Sequence, residues 1–265
     1  MISASDSMRF DSCCRLAMLS EHERSGIGTL GERTLHVILK HFFEPDTVFH
    51  EVRVGRYVAD ICRGNEITEI QTRGFAALRQ KLIAYCGNYH VNVVYPIAQK
   101  KYISWLDPDS GELSKHHKSP KVGKVWDFLY ELYALRPIMP LNRVRFTLVM
   151  CEMEEFRLLD GWSNDKKRGS TRHERIPTAL YDIITLSERK DYAILIPESL
   201  GDSFTTADFA KAAQMTRKTA GYAVRTLETI GVVEKTDRIK NTRFKSVLVA
   251  LSLISPKNCV VSDDT

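Results

Sequence analysis

Residues 60–71 read D-I-C-R-G-N-E-I-T-E-I-Q. The apolar run at 57–61 predicts a strand that carries Asp60. Arg63-Gly64-Asn65 predicts a tight turn, and residues 66–71 predict a second strand. Side chains alternate along a strand, so Glu69 and Gln71 share a face. If the two strands pair as a hairpin, Asp60 lies beside Glu69. Neighbouring carboxylates repel unless a cation lies between them, and a hard divalent ion with oxygen ligands meets that need.

Working outward, residues 28–45 predict a helix. Leu30, Thr34, Val37, Ile38 and Leu39 recur near helical spacing, and Pro45 closes it. Glu32, His36 and Lys40 stand at i, i+4 and i+8 on another face. Strands are expected at 47–54, 57–61 and 66–71, punctuated by Gly55 and Gly64-Asn65. A helix over 75–85 follows, with Phe75, Leu78, Leu82 and Tyr85 along one side. Residues 91–95 form a near-continuous apolar run, the pattern of a strand covered on both faces. Residues 101–106 predict a separate strand, stopped at Asp107-Pro108. The order α-β-β-β-α-β makes the fold class α+β, a mixed sheet flanked by helices.

The chain has 265 residues, 43% of them hydrophobic, with a formal net charge of +5. It is long enough for one large or two modest domains, and the basic excess suits a polyanion without demanding one. Six cysteines, at 13, 14, 62, 86, 151 and 259, form no C-x-x-C pair and no zinc spacing. Reduced thiols in a cytoplasmic protein are the expectation. Neither a secretory signal nor an apolar run of the roughly 20 residues a membrane helix needs is found, so no membrane partner is expected.

Beyond the first sheet, residues 114–124 form a basic loop containing Lys118 and Lys121, read either as a solvated surface or as a phosphate-tracking segment. Residues 125–135 predict a helix burying Trp126, Leu129, Tyr130 and Tyr133. A strand at 145–151 leads to Glu152, Glu154 and Glu155, expected as a solvated helix start. Residues 160–175 read as a basic loop with Trp162, Lys167, Arg168 and Arg172. That composition suits phosphate contact with stacking, or an ordinary charged loop.

The predicted order around Asp60 and Glu69-Ile70-Gln71 resembles the PD-(D/E)XK nuclease superfamily, the restriction-endonuclease-like fold, over residues 28–106. The resemblance implies Mg²⁺ or Mn²⁺ held by Asp60, Glu69 and the Ile70 carbonyl, with Glu32 as a helix acid and Glu51 in reserve. It also implies hydrolysis of DNA phosphodiesters, with Asp60, Glu69, Gln71 and Glu32 as catalytic positions. Gln71 stands where the family usually has lysine, and Lys81 or Arg73 are the residues that would restore a positive charge.

Further on, residues 205–210 read T-T-A-D-F-A, 216–227 read T-R-K-T-A-G-Y-A-V-R-T-L and 231–235 read G-V-V-E-K. These resemble the winged helix-turn-helix domains of bacterial regulators. That resemblance implies a second helix in the major groove, led by Arg217 and Lys218 with Tyr222 and Arg225 behind, and a wing carrying Lys240 and Arg243. Arg73, Lys118, Lys121, Lys167, Arg168 and Arg172 complete the expected nucleic-acid contacts. The expected organisation is an arm at 1–25, a nuclease-like domain at 26–135 and a connecting α/β region at 136–200. A winged helix at 201–255 and a tail at 256–265 complete it. The expected function is a metal-dependent DNA endonuclease on duplex, possible as a homodimer. A non-catalytic DNA-binding regulator and an RNA or structure-specific nuclease are the alternatives.

Overall fold

The computed structural model describes residues 2–22, 33–161, 171–239 and 242–247, which fall into two compact units, 1–187 and 188–265. In the first unit a seven-stranded mixed sheet has the order β1-β2-β3-β4-β6-β7, with a short β5 on the far half of β4. The strands are β1 (His50–Val54), β2 (Tyr57–Arg63), β3 (Glu66–Ile70), β4 (His90–Leu106), β5 (His117–Lys118), β6 (Val144–Leu158) and β7 (Thr171–Leu186). Strands β1, β2 and β3 form an antiparallel meander, with Gly55 and Gly64 at positive φ in its turns. β4 then joins β3 in parallel, and β6 joins β4 in parallel.

Helices cover both faces. α1 (Ala4–His22) and α2 (Arg33–Phe43) pack on one face. Leu35, Ile38, Leu39 and Phe42 of α2 recur at i, i+3, i+4 and i+7 and meet Ile70, Val94, Val149 and Cys151. α3 (Arg79–Tyr85) and α4 (Phe128–Leu132) flank an aromatic cluster of Phe75, Tyr95, Phe128 and Phe146, with ring centroids 5.3–6.3 Å apart.

Several expectations are corrected. Residues 1–25 are not simply an arm: α1 buries Phe10, Cys13, Cys14 and Ala17 in the core. Residues 136–200 are not a connection, because β6 and β7 are integral strands of the same sheet. The strands expected at 91–95 and 101–106 are one 17-residue strand running through Pro96. Gln71 N–H donates to the Val94 carbonyl, so even-numbered positions of this part of β4 turn their backbone toward β3. β3 ends opposite Val94, so the N–H that Pro96 lacks has no partner strand to miss.

Glu152, Glu154 and Glu155 lie within β6, not at a helix start. Glu155 is 1% exposed and is met by Lys101, Arg157 and Arg172. The helix expected at 75–85 is regular only from Arg79, although Phe75, Leu78, Leu82 and Tyr85 are all buried. In the 125–135 segment the buried positions are Phe128, Leu129, Leu132 and Leu135, and Tyr130 is exposed. The basic loop 114–124 is pinned to β4: Ser119 N–H donates to the Lys101 carbonyl at 2.8 Å and Gly123 N–H to that of Ala98 at 3.0 Å.

The second unit places α5 (Thr206–Ala212), α6 (Arg217–Ile230) and a three-stranded sheet in the order β8-β10-β9. The strands are β8 (Ser203–Phe204), β9 (Val233–Ile239) and β10 (Thr242–Val247). Thr205 caps α5 in a capping box with Asp208. Thr216 caps α6, and Gly231 ends it at φ 82°.

Candidate functional site

Asp60 and Glu69 occur where β2 and β3 separate. The last paired positions before them are Ile61 and Thr68. Beyond that pair, the Asp60 carboxylate takes over as acceptor: Ile70 N–H donates to its Oδ2 at 2.7 Å. Its Oδ1 lies 3.3 Å from Nε2 of His36 on α2. Burial opposes the Asp60 charge, but the His36 hydrogen bond, the His36 charge, the Ile70 N–H and Lys81 together hold its pKa below the ordinary aspartate value.

Glu69 is the more deeply buried carboxylate, with its side chain 3% exposed. Lys81 on α3 donates to its Oε2 at 2.8 Å and to the Val58 carbonyl at 2.9 Å. Glu69 Oε1 is buried without a hydrogen bond of good geometry, and the equally buried Tyr85 hydroxyl is its carboxylate's neighbour. Burial and then the Asp60 charge push the Glu69 pKa up to about 7, against the pull of Lys81 and His36. The same two carboxylates, after burial itself, raise the pKa of Tyr85, which lies on the helix that carries Lys81.

The two helices bracketing the meander thus each deliver a basic side chain to one carboxylate. Gln71 takes no part in these contacts: its amide donates to the Arg73 carbonyl, tightening the turn that leaves β3. That turn is tied to the segment containing α4 by Gly74 N–H to Glu131 at 3.0 Å. Glu51, on β1, is ion-paired with Lys40. His36, Glu51 and Asp60 each offer a ligand atom, all within 4.8 Å of one another. Glu32 lies outside the described residues. His36 was visible in the sequence only as a helix-face neighbour of Lys40; its approach to Asp60 depends on how α2 lies across the sheet.

The remaining expected contacts spread over both units. Lys118 and Lys121 line an open cleft of about 580 Å³ with Gln99, Lys100, Ser119 and Tyr181. Lys100 is committed there to Glu152 at 2.6 Å. Arg73 is exposed in the turn after β3, and Arg172 lies on β7, 3.5 Å from Glu155. Arg217, Lys218 and Arg225 are exposed on α6 with Tyr222 half-buried. Lys167, Arg168 and Lys240 lie outside the described residues. Arg243 lies on β10, its backbone paired with Arg238. Among the described residues no helix is long and apolar enough to cross a membrane.

Residues 33–187, which contain the described carboxylate site, match a family described as a domain of unknown function (DUF8091). An uncharacterized protein of Treponema pallidum (strain Nichols) is 28% identical over 150 residues, 56% of this chain and 57% of that protein. The chain therefore spans less than two thirds of that relative's length. No solved structure matches.

Proposed function

We propose that this chain, which belongs to the family described as a domain of unknown function (DUF8091), is a divalent-metal-dependent nuclease that hydrolyses DNA phosphodiester bonds. One observation carries the reading. A half-buried and a buried carboxylate on adjacent strands stand between basic groups from two flanking helices, and each keeps one oxygen that neither backbone nor lysine holds. We read the meander, β4, α2 and α3 as a restriction-endonuclease-like core, and the second unit as a winged helix.

The donor set suits Mg²⁺ or Mn²⁺: Asp60 Oδ1 and Glu69 Oε1 are hard oxygens not committed to backbone or lysine. A bound ion supplies phosphate polarisation and a water of lowered pKa. Asp60 is held by the Ile70 N–H and so presents its other oxygen in a fixed direction. Lys81, anchored on the Val58 carbonyl, brings the positive charge that restriction-endonuclease-like nucleases usually draw from the position of Gln71. Its ammonium is set to stabilise the attacking hydroxide and a phosphate oxygen. A water oxygen bonds to phosphorus as one P–O ester bond breaks. The water's proton leaves to solvent and the departing oxygen is protonated, giving one hydroxyl end and one phosphate monoester end.

Arg217 and Lys218 at the first turn of α6 would enter the major groove, with Arg225 beside them. Arg73, Lys118, Lys121 and Arg172 offer phosphate contacts on the first unit. Two cuts in a duplex require two such sites, so a homodimer accompanies symmetric cleavage.

The test is cleavage of plasmid, single-stranded DNA and RNA with Mg²⁺ or Mn²⁺ by the wild type, Asp60→Ala and Glu69→Ala. Cleavage lost in both variants is expected, by more than the roughly 10–100-fold that losing a support for a metal ligand costs. Cleavage surviving both substitutions removes the assignment. No cleavage of any substrate by the wild type favours a DNA-binding regulator.

A further inference from the structure

We propose that His36 and Glu51 join Asp60 in holding the metal ion, and that the imidazole makes this site select a first-row transition ion over Mg²⁺. The inference rests on the metal-dependent reading above and deepens it by naming the ion class.

The geometry is that of a ligand set. Asp60 Oδ2 is occupied by the Ile70 N–H, so Oδ1 is its available atom. His36 Nε2 lies 3.3 Å from that atom. Two cis ligands each about 2.1 Å from an ion lie roughly 3.0–3.4 Å apart, so an ion fits between these two atoms with little movement. The third ligand comes from β1. His50 pairs with Ile61 and Val52 with Ala59, which sets Glu51 opposite Asp60. Glu51 has φ 52°, outside the extended range of its neighbours, and its carboxylate atom still falls within 4.8 Å of the other two.

Lys40 now neutralises Glu51 from the next turn of α2 and would release it to the ion. Glu51 is 56% exposed, so the site is open to solvent on that side and can keep water ligands.

The selectivity follows from the donor types. Mg²⁺ favours oxygen and gains little from imidazole, whereas the first-row ions accept nitrogen with affinity rising from Mn²⁺ to Cu²⁺ and falling at Zn²⁺. The position of His36 between the sheet and solvent, 28% exposed, leaves it accessible to an entering ion.

The experiment is Mn²⁺ electron paramagnetic resonance on the full chain, with pulsed detection of ¹⁴N coupling and Mg²⁺ as competitor. One bound Mn²⁺ showing ¹⁴N coupling is expected, retained in tenfold excess Mg²⁺. His36→Gln should remove the coupling and weaken Mn²⁺ binding by about 10–100-fold. Glu51→Gln, at an exposed strand position, should weaken binding and keep the coupling. The proposal is overturned by Mn²⁺ bound without ¹⁴N coupling, by displacement at equimolar Mg²⁺, by unchanged affinity in Glu51→Gln, or by no Mn²⁺ bound. The two readings separate cleanly. Nitrogen-coupled Mn²⁺ with no cleavage leaves this proposal standing and the nuclease reading fallen; cleavage with uncoupled Mn²⁺ does the reverse.

Discussion

Glu69 is the residue on which the site turns. Its ordinary pKa of 4.5 is raised to about 7 in the folded chain, with burial the main cause. The folded state therefore holds the Glu69 proton more tightly than the unfolded state. The associated stability is full below pH 4.5 and is lost as pH rises through 7. Without metal, the melting temperature of Glu69→Gln minus that of the wild type should grow from pH 5 to pH 8. A flat difference would contradict the burial described. Lys81→Met leaves the Glu69 charge buried with no cation on it, so a loss of about 1–3 kcal/mol at pH 8 is expected, reduced from a fully buried pair because Lys81 is 27% exposed. Urea unfolding measures it. At this scale much was legible. Strand alternation and the turn at Gly64 single out Asp60 and Glu69 because both signals are local. That Lys81 meets Glu69 was not legible, since the contact depends on where α3 lands. Glu155 misled for a related reason: three nearby glutamates resemble a helix start, and only the cations on β4, β6 and β7 explain a buried one.

Among the elements, β4 shows how local punctuation misleads. Pro96 and Lys100-Lys101 break the apolar pattern, so the sequence predicts two strands. The chain continues because β6 pairs along its whole length and because Pro96 faces the side where β3 has ended. The basic strap from 114 to 124 is held on β4 partly by Gly123, where an added Cβ would lie 2.5 Å from the Ala98 carbonyl oxygen. Gly123→Ala should lift the strap and expose the Lys101 and Ala98 carbonyls. Faster amide exchange at Ser119 and residue 123 reads this, and unchanged protection would contradict the contact. In the second unit the caps are written in adjacent residues, Thr205 with Asp208 on α5 and Thr216 with Thr219 on α6. Thr216→Ala removes the acceptor for the Thr219 N–H and should cost about 1 kcal/mol, measured by thermal unfolding.

For the whole molecule, the family match covers the carboxylate unit and not the helix–helix–hairpin unit. We propose that chemistry and recognition lie in separate units. Arg217→Ala with Lys218→Ala should weaken duplex binding and lower the slope of log affinity against log salt by about 2, while leaving Mn²⁺ binding unchanged. An unaltered salt slope would remove α6 as the DNA reader. The α+β class and mixed sheet were legible from element order. The full sheet was not, because β7 begins inside what reads as a basic loop and pairs with a strand whose latter half looked like a helix.

Asp60 and Glu69 are proposed to hold the ion that drives DNA hydrolysis. Supercoiled plasmid, followed as Mn²⁺ is titrated into wild type, Asp60→Ala and Glu69→Ala in parallel, tests this. Mn²⁺-dependent nicking or linearisation is expected of the wild type and none of either variant. Equal cleavage by all three proteins, or cleavage by the wild type undiminished in excess chelator, would contradict it.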